Sequence, residues 1–347
     1  MTNSKDTTSK GVTKMISLSI LDYSPIDEGT TAHDALWSTT ELAQYAESLG
    51  YKRYWISEHH FVESVANSSP EILMMHIASS TKEIRIGSGG VMLPHYSSYK
   101  VAENFRMMEA LHPNRIDLGI GRSPSYRIVN QALNEGKTKK QSYEQQVIDL
   151  KKYFTDNTDS EHRYQSLIAT PRIPSKPEMW MLGTGETGAE VAAKEGLGFV
   201  YAHFAKPGTA GVNIVNRYYH NFQASTFLSS PKTIIGVFTV VGETEEEAEE
   251  LARAFDLWLY FVESDNQPPY YPSVETALRR GFSTVEKQKV IQNRNRMLVG
   301  TPSLVKEKIN KIAEAYKTNE IMIVPNVFGI QNRKKVISLL AQEFQLY

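Results

Sequence analysis

Residues 84–122, IRIGSGGVMLPHYSSYKVAENFRMMEALHPNRIDLGIGR, contain two short β-rich runs separated by a helical pattern. The runs cover residues 84–87 and 115–120, and the helical pattern covers residues 101–111. Two strands joined through a helix cannot form a hairpin, so we expect them to pair in parallel through a right-handed crossover. This stretch therefore predicts one repeat of a parallel α/β fold.

The same alternation of strand and helix extends along the chain in both directions. A helical segment follows each predicted strand, and the first such segment stops at Gly50, a typical helix terminator. Eight repeats favour an α/β (βα)8 TIM barrel over a doubly wound open sheet, and no GxGxxG follows the first strand to support the open sheet. The predicted strands are residues 16–21, 53–56, 84–87, 115–120, 179–182, 198–202, 233–241 and 320–325.

Composition restricts the class of protein. The chain has 347 residues, of which 41% are hydrophobic, and its net charge of −1 provides no basic field for nucleic acid. It has no cysteine, which excludes disulfides, thiolate nucleophiles and thiolate metal sites. Residues 1–14 are polar and are expected to be a disordered lead-in without a secretory signal, and residues 15–347 a single barrel domain. With no apolar run long enough to span a membrane, we expect a cytoplasmic protein.

Two stretches do not fit the simple repeat. Residues 155–176 are polar and contain Pro171 and Pro174, with Pro177 directly after them, which indicates an insertion before the fifth strand. Residues 264–295, after the seventh strand and its helix, form a long connection rich in Pro, Tyr and Arg. Long connections in compact domains are usually functional, so we expect a mobile lid here; the alternative is a surface excursion.

Polar and glycine-rich segments follow the predicted strands, at the end of the barrel where active sites lie. Arg122 comes after one strand, and an arginine in that position can contact a phosphate in a bidentate manner. The segment GTGETG, residues 183–188, opens a helix whose free N–H groups favour an anion. Together they predict a phosphomonoester site. The alternatives are a surface ion pair for Arg122 and a simple turn for the glycines.

The run Glu58-His59-His60 follows the second strand. Consecutive side chains of a strand point to opposite sides, so at most one histidine is expected to face the pocket. A histidine with a pKa near neutrality would serve as an acid–base group, whereas the alternative is a histidine held by a carboxylate. A metal site is not predicted, because the other histidines lack metal-binding spacing. The Gly89-Gly90 pair would let the backbone approach a flat ring, or would mark a bulge at the barrel rim.

Taken together, these segments resemble the luciferase-like flavin monooxygenases, barrels that use FMN. The resemblance runs from residue 16 to residue 344. It is carried by LDYSPI, YWISEHH, IRIGSGGVMLPHYS, VAENFRMMEAL, RIDLGIGRSP and VGTPSLVKEKI, in that order.

The resemblance implies specific roles for site residues. His59 corresponds to the catalytic histidine, and a non-prolyl cis peptide beneath the flavin falls at Gly89-Gly90. Gly121 occupies the position of the reactive cysteine of true luciferases, so light emission is not implied. After Arg122, residues 123–127 replace an APGTD-like segment of relatives, and GTGETG replaces a serine-rich turn. The expected cofactor-binding residues are Glu58, Gly89, Gly90, Arg122, Thr184, Gly185, Gly188 and Ala202.

The implied function is a monooxygenase or oxidoreductase that uses reduced FMN and molecular oxygen on a small organic substrate. A separate NAD(P)H-dependent flavin reductase is expected to supply the reduced FMN as a transient partner. Two alternatives remain open: a deazaflavin- or NAD(P)H-linked oxidoreductase on the same barrel, and a non-catalytic flavin-binding protein. Since members of the family pair through helices after early strands, a homodimer through residues 69–80 and 101–113 is also expected.

Overall fold

The structure is a computed structural model that describes residues 15–159, 161–264 and 267–347. The expected lead-in, residues 1–14, lies outside the described residues. The strands are β1 (Ser17–Asp22), β2 (Arg53–Ile56), β3 (Arg85–Ser88), β4 (Val91–Met92), β5 (Ile116–Gly121), β6 (Glu178–Gly183), β7 (Gly198–Ala202), β8 (Thr233–Val241), β9 (Met297–Gly300) and β10 (Glu320–Val324). The α-helices are α1 (Ala32–Ser48), α2 (Pro70–Ser80), α3 (Ser98–Leu111), α4 (Arg127–Leu133), α5 (Tyr143–Phe154), α6 (Glu186–Glu195), α7 (Thr209–Asn221), α8 (Glu245–Val262), α9 (Val274–Arg280), α10 (Thr284–Arg294), α11 (Pro302–Tyr316) and α12 (Ile330–Phe344).

Eight of these strands close a parallel barrel in the order β1-β2-β3-β5-β6-β7-β8-β10. Closure occurs at β10, which pairs with β1 on one side and with β8 on the other. The predicted (βα)8 TIM barrel and its eight strands are therefore confirmed. Two short strands were not predicted: β4 pairs with β5, and β9 extends the sheet from β8.

The N-terminal ends of the barrel strands are closed by a buried ionic network. The Arg53 guanidinium contacts Asp117 at 2.6 Å, Glu320 at 2.7 Å and Glu178 at 3.2 Å. Its guanidinium carbon also lies 4.8 Å from the ring centre of Trp180. Because paired charges and large aromatic groups fill this end of the barrel, the open end available for a ligand is the C-terminal one.

The two stretches outside the repeat differ from each other in structure. No helix or strand falls in residues 155–159 or 161–176, consistent with the predicted insertion. In the second stretch, residues 267–295 contain α9 and α10 and are therefore largely helical. Arg294 of α10 donates to both carboxylate oxygens of Asp256 in α8, at 2.7 and 2.8 Å. These contacts hold α10 against α8, and the predicted movement of this stretch as a lid stays a prediction.

None of the helices in the described part of the chain has both the length and the apolar character that crossing a membrane requires.

Candidate active site

A cavity of about 340 Å³ lies beside the segments that follow β2 and β5. Its wall combines the residues after β2, the loop after Arg122 and the last turns of α8. The lining is mostly apolar, with hydroxyl and imidazole groups as its polar part. The lining residues are His59, His60, Val62, Val65, Met92, Ser123, Pro124, Ser125, Tyr126, Trp258 and Val262.

Both histidines of the EHH run line this cavity. The prediction that at most one of them faces the pocket is therefore wrong. It assumed the alternation of a strand, but β2 ends at Ile56, before the run begins. Beyond that point the backbone N–H of His59 donates to the Asn67 carbonyl oxygen at 3.2 Å, so the chain follows a loop path without strand alternation.

Glu58 is buried beneath the cavity wall, and protein groups engage both of its carboxylate oxygens. The backbone N–H of Met92 donates to Oε2 at 2.8 Å, and the Tyr96 hydroxyl donates to Oε1 at 2.6 Å. Nε2 of His60 lies 2.7 Å from the same Oε1. The carboxylate thus ties β4 and the segment after it to His60. Its predicted contact with a cofactor stays a prediction.

His59 has a different environment from His60. Its ring meets the Tyr23 ring edge-on, with 5.1 Å between centroids, and within the described chain its imidazole nitrogens have no hydrogen-bond partner. Burial, and secondarily the charge of His60, lower the pKa of His59 to about 4. The expectation of a pKa near neutrality is therefore not met. A neutral imidazole at physiological pH can accept a proton.

The peptide bond between Gly89 and Gly90 is cis, as the resemblance implied. A Cβ on Gly90 would lie 2.8 Å from the carbonyl oxygen of Gly119, so the backbone of β5 leaves no room for a side chain there. A Cβ on Gly89 would lie 2.6 Å from Cδ1 of Leu21, so the end of that leucine side chain would have to shift. Glycine is therefore required most strictly at position 90, independently of any ring that the backbone approaches.

Arg122 and Gly185 lie close to each other at the C-terminal ends of β5 and β6. A Cβ on Gly185 would have Nη2 of Arg122 as its nearest neighbour, at 4.0 Å. Arg122 is exposed and forms no hydrogen bond or ion pair with the described residues, so the alternative of a surface ion pair finds no partner there. Gly185 precedes α6, and no side chain caps the N–H groups of that helix. A free guanidinium beside free N–H groups is suited to an anion.

The remaining predicted cofactor residues surround this point. Thr184 directly follows β6, Gly188 lies in the first turn of α6, and Ala202 is the last residue of β7. All three are partly exposed. They therefore lie at the same end of the barrel as Arg122.

Sequence reasoning missed two tyrosines of this region. Tyr96 binds Glu58, and the Tyr143 hydroxyl donates to the Ile120 carbonyl oxygen at 3.3 Å. Burial raises the pKa of Tyr143, and the positive charge of nearby Arg122 offsets part of that rise. No periodic pattern marks either tyrosine, because both reach the site from segments between strands.

Within residues 15–159, 161–264 and 267–347, no three His, Cys, Asp or Glu side chains are placed to bind one metal ion.

Comparison with known proteins agrees with this fold. The sequence profile of the family described as luciferase-like monooxygenase matches residues 17–318. The chain is 45% identical over 332 residues to the uncharacterized protein YwcH of Bacillus subtilis (strain 168), covering 95% of this chain and 99% of YwcH. It is 36% identical over 329 residues to N-acetyl-S-alkylcysteine monooxygenase of the same organism, covering 94% and 98% of the two chains.

A solved structure shows the same similarity in three dimensions. Apo-MsnO8 superimposes with a TM-score of 0.86 at 32% identity, covering 96% of this chain and 99% of its own. Because the family profile and these relatives extend over nearly the whole barrel, the chain belongs to the luciferase-like monooxygenase family.

Proposed function

We propose that this protein is an FMN-dependent monooxygenase that uses molecular oxygen on a small, weakly polar organic substrate. The observation that carries the proposal is the free Arg122 guanidinium beside the uncapped end of α6. The four residues that follow Arg122 line the cavity that His59 also lines, so they connect this anion-binding point to the cavity. An anion-binding point next to an apolar cavity fits a flavin with a phosphate tail.

Different residues would bind the phosphate and the ring system of FMN. Arg122 and the N–H groups after Gly185 would hold the phosphate, with the Thr184 hydroxyl near them. The side-chain-free backbone at Gly89 and Gly90 would lie against the ring system. When bound, reduced FMN would supply the two electrons that activate oxygen, so that one oxygen atom passes to the substrate and the other is released as water.

The protein contributes an apolar cavity wall and a proton acceptor. Trp258, Val262 and Met92 present apolar surface to the cavity, which limits the access of water to the reacting groups. His59 is neutral at physiological pH and is positioned to accept a proton in this cavity. A role in proton transfer distinguishes an enzyme from a protein that only stores flavin.

A thioether is the substrate class that we propose. The relative named N-acetyl-S-alkylcysteine monooxygenase supports it, as does a cavity wall with no carboxylate and few polar groups. An alkyl thioether is compact and apolar, and the Ser123 and Ser125 hydroxyls could bind a polar substituent. The electrons are proposed to come from a separate NAD(P)H-dependent flavin reductase.

The test begins with binding. Fluorescence titrations with FMN, riboflavin and a deazaflavin should show FMN bound more tightly than riboflavin, since riboflavin has the same ring system without the phosphate. Chemically reduced FMN is then mixed with protein, oxygen and N-acetyl-S-alkylcysteines, and sulfoxide formation is measured. Preferential binding of the deazaflavin would favour the oxidoreductase alternative. If the protein binds FMN but forms no product from any thioether or aldehyde tested, the proposed monooxygenase activity is wrong. The non-catalytic flavin-binding protein then replaces it.

A further inference from the structure

A second cavity, of about 230 Å³, lies outside the candidate active site, where α3 begins. The residue before the helix, Ser97, provides no side-chain cap, and the first turn of α3 has no acidic residue. The N–H groups of that turn therefore carry uncompensated partial positive charge. A helix end of this kind attracts anions, but further groups are needed to make a binding site.

Lysines supply positive charge to the same cavity. Lys137, Lys139 and Lys140 all line it. Lys137 donates to the His95 carbonyl oxygen, whereas Lys139 and Lys140 form no hydrogen bond or ion pair with the described residues. Burial, and secondarily the charge of Lys140, lower the pKa of Lys137, so these two lysines lie close enough for their charges to interact.

Arg163 also lines the cavity, but its charge is balanced. Its Nε donates to Oδ2 of Asp149 at 3.0 Å. Asp149 is buried, and it is the carboxylate nearest to this arginine. The three lysines therefore account for the excess of positive charge.

Tyr153 gives the cavity a buried donor. Its side chain is only 1% exposed, and its hydroxyl has no hydrogen-bond partner among the described residues. Burial raises the pKa of Tyr153 to about 12, so the hydroxyl keeps its proton. A buried hydroxyl without a partner is costly, and because Tyr153 lines the cavity, a ligand there would supply the missing partner.

Gln146 gives the cavity a buried acceptor. Its Nε2 donates to the carbonyl oxygens of Leu93 at 3.0 Å and Tyr96 at 2.9 Å. Because Nε2 donates to both of these carbonyl oxygens, the orientation of the amide is fixed, and Oε1 points away from them. That oxygen is buried and has no partner in the described chain. A ligand that satisfies it must itself carry a donor.

We infer that this cavity binds inorganic phosphate. The lysines, the start of α3 and the Tyr153 hydroxyl provide positive charge and donors for anionic oxygens, and Gln146 Oε1 accepts from an oxygen that retains a proton. At neutral pH inorganic phosphate keeps at least one proton, whereas sulfate keeps none. A phosphate monoester is largely doubly ionised at that pH, so it satisfies Gln146 less well.

The experiment is calorimetric titration of the full-length Arg122→Ala protein, in which the candidate FMN-phosphate contact is absent. Inorganic phosphate, sulfate and glycerol 3-phosphate are titrated at constant ionic strength. We expect saturable phosphate binding, with sulfate and the monoester each weaker by about tenfold. Tyr153→Phe, which keeps the ring, and Lys139→Ala/Lys140→Ala should each weaken phosphate binding by about tenfold.

A matched control is Lys82→Ala/Lys287→Ala, which removes two exposed lysines elsewhere and should change the affinity by less than about twofold. No saturable phosphate binding by the Arg122→Ala protein would overturn the inference. Unchanged affinity in both cavity variants would do the same, as would sulfate or the monoester binding as tightly as phosphate. None of these outcomes depends on whether the protein binds FMN.

Discussion

Nε2 of His60 lies 2.7 Å from Oε1 of Glu58, whereas the described part of the chain provides no comparable contact for the imidazole of His59. The two consecutive histidines line one cavity, yet only one of them is fixed by a carboxylate. A histidine held by a buried carboxylate has a structural role, whereas an imidazole without a hydrogen-bond partner is available to exchange a proton with a ligand. The two residues should therefore respond differently to substitution.

His59→Ala should leave FMN affinity within about 1 kcal/mol of wild type but lower turnover by about 100-fold or more, the usual range for loss of an acid–base group. The measurements are FMN titration and product formation with chemically reduced FMN. His220→Ala, at an exposed position in α7, is the control and should match wild type. If His59→Ala turns over at the wild-type rate, His59 is not the proton acceptor.

His60→Ala should cost about 1–2 kcal/mol of folding free energy, because it removes a partner from the buried Glu58 carboxylate. Urea denaturation monitored by circular dichroism measures this change. His60→Gln keeps a hydrogen-bonding group within reach of Glu58 and should recover part of the loss. Wild-type stability of the alanine variant would show that the contact contributes nothing.

The low pKa of His59 predicts a pH dependence of stability. Its pKa is about 4 in the folded chain, against an ordinary value of 6.5. Between those values the unfolded chain binds more protons, so stability rises with pH across this window and falls as pH is lowered from 6.5 towards 4. Urea denaturation at pH 7 and pH 5 should show a smaller loss for His59→Asn than for wild type. An equal loss in both proteins would mean that His59 titrates normally.

The strands of the barrel were predictable because buried parallel strands and amphipathic helices leave separate patterns in the sequence. The first strand, predicted at residues 16–21, is Ser17–Asp22, and the last, predicted at 320–325, is Glu320–Val324. By contrast, β4 (Val91–Met92) is too short to show any periodicity. Its position depends on pairing with β5, which local sequence does not encode.

Residues 264–295 carry a helix-start signal in their sequence. Ser283 and Glu286 form a capping box at the start of α10, a spacing visible in the sequence. Within the site, motif residues such as Arg122 could be placed at strand ends from sequence alone. Tyr96 and Tyr143 could not, since their contacts with Glu58 and with the neighbourhood of Arg122 arise only from tertiary packing.

Arg53→Met should destabilise the barrel by about 3–5 kcal/mol, because it leaves buried Asp117 and Glu320 without their main counter-charge. Burial alone would raise the pKa of Asp117, but the charges of Arg53 and Arg85 hold it below its ordinary value. Chemical denaturation at pH 7 measures the effect. Lys311→Met breaks an exposed pair with Glu307 and should cost under about 1 kcal/mol. Similar losses for both variants would contradict the role assigned to the network.

We propose a homodimer that buries the outer faces of α2 and α3. Ile72 is 75% exposed and Met107 54% exposed, and Leu111 and Trp37 are also exposed. Large apolar side chains in such numbers are typical of interfaces. Sedimentation velocity should give twice the 39.2 kDa mass of one chain, and Ile72→Asp/Met107→Asp should give the monomer mass.

The control for the dimer is Val285→Asp/Ile291→Asp, which places the same charges on exposed apolar positions of α10. It should leave the sedimenting mass unchanged. A monomer mass for the wild-type protein at micromolar concentration would contradict the proposed interface.

Arg122→Ala should weaken FMN binding by about 2–4 kcal/mol and leave riboflavin binding nearly unchanged, because the two flavins differ only by the phosphate that the guanidinium would contact. Arg122→Lys keeps the charge but loses the planar fork, so its FMN affinity should lie between those of wild type and the alanine variant. Arg127→Ala removes an exposed arginine five residues away and controls for general loss of positive charge. Fluorescence titration with both flavins measures all four proteins. Equal losses for FMN and riboflavin in Arg122→Ala would show that this arginine supports the fold of the site and does not bind the phosphate.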